Sequence, residues 1–301
     1  MAPMRAEIRE EPCRSALNRV KGMMFDWSLN PYTGCAHRCA FCYVRAFEQR
    51  ADRPSGEAYG ASVRVKLNVA EVLRVELARA SWARELVAIG AATDPYQPIE
   101  GRYRLTRACI LELGRARTPF GIITRGPMIV RDIDVLQHAA RRAAVRVHVS
   151  ITTLDEAVWI ATEPGTASPR QRLRAVRMLV DAGIDVGISI APVLPGLTDR
   201  SDQLEAVVRA AREAGATRVW ASVLHLRPGV RDHFMGVLER HWPEERKRYE
   251  RLYAASPYLR RADTEPVLTE VARLRQVVGI GDRRAVKLAP PPEPVQLDLA
   301  I

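Results

Sequence analysis

At 301 residues, 47% of them hydrophobic and 27% charged, the chain can bury one large core and a small appendage. No apolar run approaches the roughly 20 residues of a membrane span, and the start MAPMRAEIREEPCR lacks the apolar centre of a signal peptide, so a cytoplasmic, non-membrane protein is expected. The formal net charge of +11 favours an anionic partner such as nucleic acid, although arginines spread along the whole chain also suit a generally solvated basic surface.

In chain order, residues 1–25 form a polar N-terminal extension, followed by a strand candidate, FDWSLN, and the cysteine-rich run NPYTGCAHRCAFCY. Further strands are expected at Leu86–Asp94, Phe120–Gly126, Val145–Thr153, Asp185–Pro192 and Arg218–Leu226. Apolar residues at helical spacing lie between them, over Val69–Ser81, Thr106–Arg117, Ile129–Ala144, Pro169–Ala182 and Asp202–Ala214. Such alternation is the signature of βαβ units around a parallel sheet. A closed eight-unit barrel usually needs about 250 residues. Six units between residues 26 and 228 therefore predict an α/β fold built as an open, partial (β/α)6 barrel with an N-terminal arm. A helical C-terminal extension is expected over 229–280, and residues 281–301 form a Pro-rich tail containing APPPEPVQ.

Cys35, Cys39 and Cys42 stand at x3 and x2 spacing. Three thiolates so placed can hold three irons of one cubane and leave the fourth open, whereas a [4Fe–4S] centre is normally held by four cysteines. A Cys3His zinc knuckle from Cys35, His37, Cys39 and Cys42 is the alternative, but zinc sites usually pair ligands across a longer loop, and no second cysteine pair exists. Five cysteines, three of them crowded, suit a reducing compartment.

The cysteine run, with Phe41 before the third cysteine, resembles the radical S-adenosylmethionine (SAM) superfamily. Together with TDPYQP, SITTLDE and APVLPGLTD, it resembles the spore photoproduct lyase-like branch. This implies a [4Fe–4S] cluster on Cys35, Cys39 and Cys42, SAM chelated at the open iron and cleaved to a 5'-deoxyadenosyl radical, and an electron donor such as flavodoxin or ferredoxin. It also implies that the segment holding Thr93, Asp94 and Tyr96 meets the cofactor, and that Glu163 and Arg172 lie near its carboxylate and ribose. Spore photoproduct lyase proper returns a hydrogen atom from a cysteine in the segment that reads ATDPYQ here and has none. Tyr43 and Tyr96 are the candidate relays in its place. Cys109 reads as a buried small hydrophobe and Cys13 as a free thiol.

Chemistry in parallel barrels sits at the carboxyl ends of the strands. In Val145–Thr153, alternation places His148, Ser150 and Thr152 on the lumen side, with Ser150 and Thr152 near the rim as hydroxyl ligands. Gly187, Ser189 and Ala191 share one small-residue face that would leave room for a bulky ligand. QLDLAI (Gln296–Ile301) resembles the hexapeptide that docks bacterial repair and replication proteins on the sliding clamp. The leading expectation is a radical SAM enzyme acting on DNA or another nucleic acid, by repair or base modification. The alternatives are radical chemistry on a peptide or small metabolite, and a non-catalytic iron–sulfur or zinc protein that binds nucleic acid.

Overall fold

The computed structural model describes residues 6–282. Its strands are β1 (Glu7–Glu11), β2 (Leu17–Arg19), β3 (Trp27–Leu29), β4 (Tyr32–Thr33), β5 (Ser62–Lys66), β6 (Val87–Ile89), β7 (Phe120–Thr124), β8 (Val145–Ser150), β9 (Val186–Val193), β10 (Arg218–Val223) and β11 (Gly281–Asp282). Six parallel neighbours, β3, β6, β7, β8, β9 and β10, form the partial barrel, in chain order across the sheet. The six units expected from the sequence are therefore present, and the fold is α/β.

Helices cover the outside because their apolar stripes need a partner. Val69, Leu73 and Leu77 recur every four residues along Val69–Leu77 and are buried, as are Cys109, Ile110 and Leu113 of Leu105–Arg115. Leu113→Ala, at a fully buried site, would cost about 2–5 kcal/mol. The helix Pro169–Asp181 begins at a capping box between Ser168 and Gln171 with proline in its first turn. The expected helix Ile129–Ala144 is instead a 3-10 turn, Pro127–Asp132, followed by a shorter helix, Ile133–Ala140.

Two features differ from the sequence reading. The N-terminal arm is woven in: β1 pairs with β5, which also pairs with β4, and β2 adds antiparallel to the barrel edge at β3. At the opposite edge, after the helix Arg261–Val278, β11 pairs with the start of β10, so Gly281 belongs to the sheet rather than to the tail. Residues 283–301, including the clamp-like Gln296–Ile301, lie outside the described residues.

Two large side chains pack over the small residues of β9. A Cβ on Gly187 would sit 3.0 Å from His148 Nδ1, and Trp220 Nε1 donates to Ser189 Oγ. Gly187 and Ser189 thus admit His148 and Trp220 from the neighbouring strands instead of leaving space for a ligand, which corrects the expectation made from their size, whereas Ala191 is half-buried at the mouth. No helix among the described residues is long and apolar enough to cross a membrane.

Candidate active site at the cysteine loop

The loop between β4 and the helix Val44–Arg50 carries Cys35 and Cys39, both buried, and half-buried Cys42. Such a turn-rich loop cannot satisfy its own backbone groups. Arg45, 1% exposed, does much of that work. Its guanidinium donates to the carbonyls of Cys39 (3.2 Å), Arg38 (3.1 Å), Ser55 (2.9 Å) and Gly56 (2.6 Å) and lies 4.5 Å over the Tyr59 ring. The Tyr59 hydroxyl is 3.5 Å from Cys42 Sγ.

The opposite side of the loop is held by strand tips. Thr93 Oγ1 donates to Gly34 O (2.7 Å), Ala36 N to Gln97 Oε1 (3.0 Å), Ala40 N to Thr162 O (2.8 Å) and Gly165 N to His37 O (3.1 Å). Gly60, at φ +75°, passes so close that a Cβ would lie 2.3 Å from Cys35 O, so only glycine fits.

Asp94 sits at the centre of this support. Its Oδ1 accepts from Tyr96 N (2.9 Å) and Thr124 Oγ1 (2.7 Å), its Oδ2 accepts from Arg125 N (2.6 Å), and His37 Nδ1 lies 3.2 Å from Oδ2. Burial pushes this carboxyl up, but His37, Thr124 and the Arg125 amide outweigh it and hold it at about 2. The structure therefore gives Asp94 a positioning role, with its contacts inside the protein.

A second charged group lies on the far side. Glu163 Oε2 pairs with Arg172 Nη2 at 2.7 Å and Arg125 Nε at 3.1 Å, with Thr152 beside it, and these contacts lower its carboxyl against burial. Arg172 also donates to Ala167 O, Ser150 O and Thr166 Oγ1, so it braces the tip of β8 from within. Arg125, which the sequence reading passed over, is the residue that faces the cysteines. It donates to Ala191 O (2.9 Å), lies 5.4 Å over the Phe41 ring, and its charge acts on Cys39. The side chain is 18% exposed, whereas Arg172 is 1% exposed. Two guanidiniums against one carboxylate leave a single excess positive charge.

Tyr43 donates its hydroxyl to Ala91 O next to the cysteine loop. Tyr96 does not join it: its hydroxyl donates to Asp132 Oδ2 (3.1 Å) within the main core, where Arg131 and Arg107 neutralise that carboxylate. Cys109 is fully buried, and Cys13 pairs its backbone with the Asn68 side chain.

A model of the radical SAM superfamily matches residues 29–211. The chain belongs to that superfamily. An uncharacterized protein of Mycobacterium tuberculosis is 40% identical over 270 residues, 89% of this radical SAM chain and 79% of that protein. A radical SAM Nalpha-GlyT isomerase of Pseudomonas phage M6 is 29% identical over 176 residues, 57% of this chain and 34% of the isomerase. In solved structures the fold is similar to that of spore photoproduct lyase complexed with dinucleoside spore photoproduct, at TM-score 0.68 and 15% identity over 91% of this chain and 80% of the other.

The residues present fit the [4Fe–4S] cluster and SAM that the family implies. Burial, helped by Asp94 and the other two thiols, pushes the Cys35 thiol up, and burial pushes Cys39 up to about 12 against the pull of Arg125. Holding Cys35 and Cys39 as thiolates therefore requires a cationic group beside them. Among the described residues, no three His, Cys, Asp or Glu side chains converge to hold a single metal ion. A cubane asks for something different, one thiolate on each of three irons. His37 turns Nδ1 to Asp94, which accounts for it without a zinc knuckle.

Proposed function

We propose that this radical SAM enzyme acts on nucleic acid, as a repair lyase or a base-modifying enzyme. The observation that carries the reading is the net charge of +11 on a chain that shares the fold of an enzyme solved with a dinucleoside photoproduct. The Nalpha-GlyT isomerase of a phage, a sequence relative, supports the base-modifying form.

When bound, the cluster supplies the electron that cleaves SAM. Cys35, Cys39 and Cys42 would hold it, and Phe41, with the Arg125 guanidinium over its ring, would stand beside it. Arg125 suits the SAM carboxylate because it retains unspent N–H donors and the excess charge, and a guanidinium makes paired, charge-assisted bonds. Arg172 and Glu163 fix Arg125 in place, while Ser150 and Thr152 line the rim of β8. Tyr43, adjoining Cys42, is the hydrogen relay in this reading. The tail Gln296–Ile301 docks on a sliding clamp; a Val295–Ile301 peptide that fails to bind the clamp in a fluorescence titration rejects that part.

The test is 5'-deoxyadenosine formation by the anaerobically reconstituted, reduced chain, with and without DNA or RNA, beside a triple Cys35/Cys39/Cys42→Ala control. Stimulation by nucleic acid supports the reading. Stimulation by peptides or metabolites with none by nucleic acid overturns it.

A further inference from the structure

A row of aromatic rings crosses the cysteine loop from one exposed end to the other. Phe47 meets Tyr43 edge to face at 5.8 Å, Tyr43 lies 6.1 Å from His225, and His225 stacks on Tyr258 at 5.4 Å and 20°. The middle of the row belongs to the site, because Tyr43 directly follows Cys42 and His225 stands just beyond the carboxyl end of β10. Both ends face solvent: Phe47 is 36% and Tyr258 49% exposed.

Each end also carries an arginine. Arg50 lies 5.4 Å over Phe47; Arg227 lies 5.6 Å over Tyr258 and donates from Nε to its hydroxyl (3.0 Å). Among the described residues neither arginine has a carboxylate partner, unlike nearby Arg260 and Arg261, which pair with Asp263 and Glu265. The loop that presents Tyr258 is fixed on the barrel mouth by Leu226 N donating to Pro257 O (2.8 Å) and the Tyr253 hydroxyl donating to Leu224 O (2.7 Å). An exposed ring with an unneutralised guanidinium, repeated on either side of a reaction centre, matches a polymer of flat rings joined by anions.

Resting on the nucleic-acid reading above, we infer that Tyr258 with Arg227, and Phe47 with Arg50, are stacking platforms for the two bases flanking the reacting nucleotide of a single-stranded or locally opened strand. Stacking of bases on aromatic side chains tolerates any sequence, and arginine adds cation–π and phosphate contacts. The substrate is thereby gripped through its neighbours, leaving the central base free to enter between them.

The test is an anisotropy titration of the reconstituted full chain with a short labelled single-stranded DNA, either intact or abasic on both sides of the central base. Tyr258→Ala and Phe47→Ala should each weaken binding of the intact strand by about 5- to 100-fold, while Tyr258→Phe retains it. The abasic strand should bind the wild-type chain weakly, and Tyr258→Ala should weaken it no further. Arg227→Gln should reduce the salt dependence by about one phosphate contact, which a ring acting only in packing would not do. Intact binding by the wild type with no loss in the alanine variants overturns the stacking inference and leaves the nucleic-acid reading standing. Failure of the wild type to bind any strand overturns both.

Discussion

Asp94 Oδ2 lies 3.2 Å from His37 Nδ1, so the residue after β6 that caps its own turn also anchors the inside of the cysteine loop. The folded carboxyl titrates at about 2, below its ordinary value of 3.8. A group with a depressed folded value contributes stability that is complete above the ordinary value and is lost as pH falls through the folded one. The contribution, about 2 kcal/mol, should therefore disappear between about pH 5 and pH 2. Denaturant midpoints of the apo chain across that range should show this slope, and Asp94→Asn should flatten it while lowering stability at neutral pH.

Glu163 and Arg172, both 1% exposed, form a pair whose value lies in being complete. Glu163→Gln should cost about 3–5 kcal/mol, because it leaves two buried guanidiniums without their carboxylate. Adding Arg172→Met should cost less than the sum of the single changes in a denaturation cycle. Additive costs would show that the two side chains act independently.

Gly60→Ala should reduce the iron bound after reconstitution while far-UV circular dichroism stays near wild type. The new Cβ meets the Cys35 carbonyl, and the positive φ adds strain of order 1–3 kcal/mol. Arg45→Ala should act more strongly at the same readout, since four carbonyls of the loop and its neighbour lose their donor.

Arg125→Gln should weaken SAM binding by about 10- to 100-fold in calorimetry on the reconstituted protein, the loss expected for a charge-assisted bond. Arg125→Lys should recover part of it, keeping the charge without the fork. Unchanged affinity in Arg125→Gln would assign the carboxylate to another donor.

The barrel was legible because a strand buried on both faces and a helix buried on one leave different periods, and Val145–Ser150 and Pro169–Asp181 show them plainly. The cysteine loop was legible because its three ligands lie within eight residues. Arg125 was not: its partners Glu163 and Ala191 are 38 and 66 residues away, and only the Thr-Arg-Gly turn after β7 hinted at a residue aimed across the mouth. Tyr59 and Arg45 escaped notice for the same reason, because a polar segment and a helix arginine announce no burial. The β1–β5 pairing was half visible, since Ser62–Lys66 alternates apolar and polar, but its partner EIREE carries no such signal.

The packing of His148 against Gly187 has a consequence for how substrate is reached. At the level of Gly187 and Ser189 the space inside the sheet is taken by His148 and Trp220, so a ligand is met nearer the mouth, where Ala191 is half-buried. Reactive atoms must then be presented at the level of the cysteine loop. On the nucleic-acid reading proposed above, the energy that brings a base there comes from contacts outside the barrel mouth, where the polymer is held rather than where it is changed.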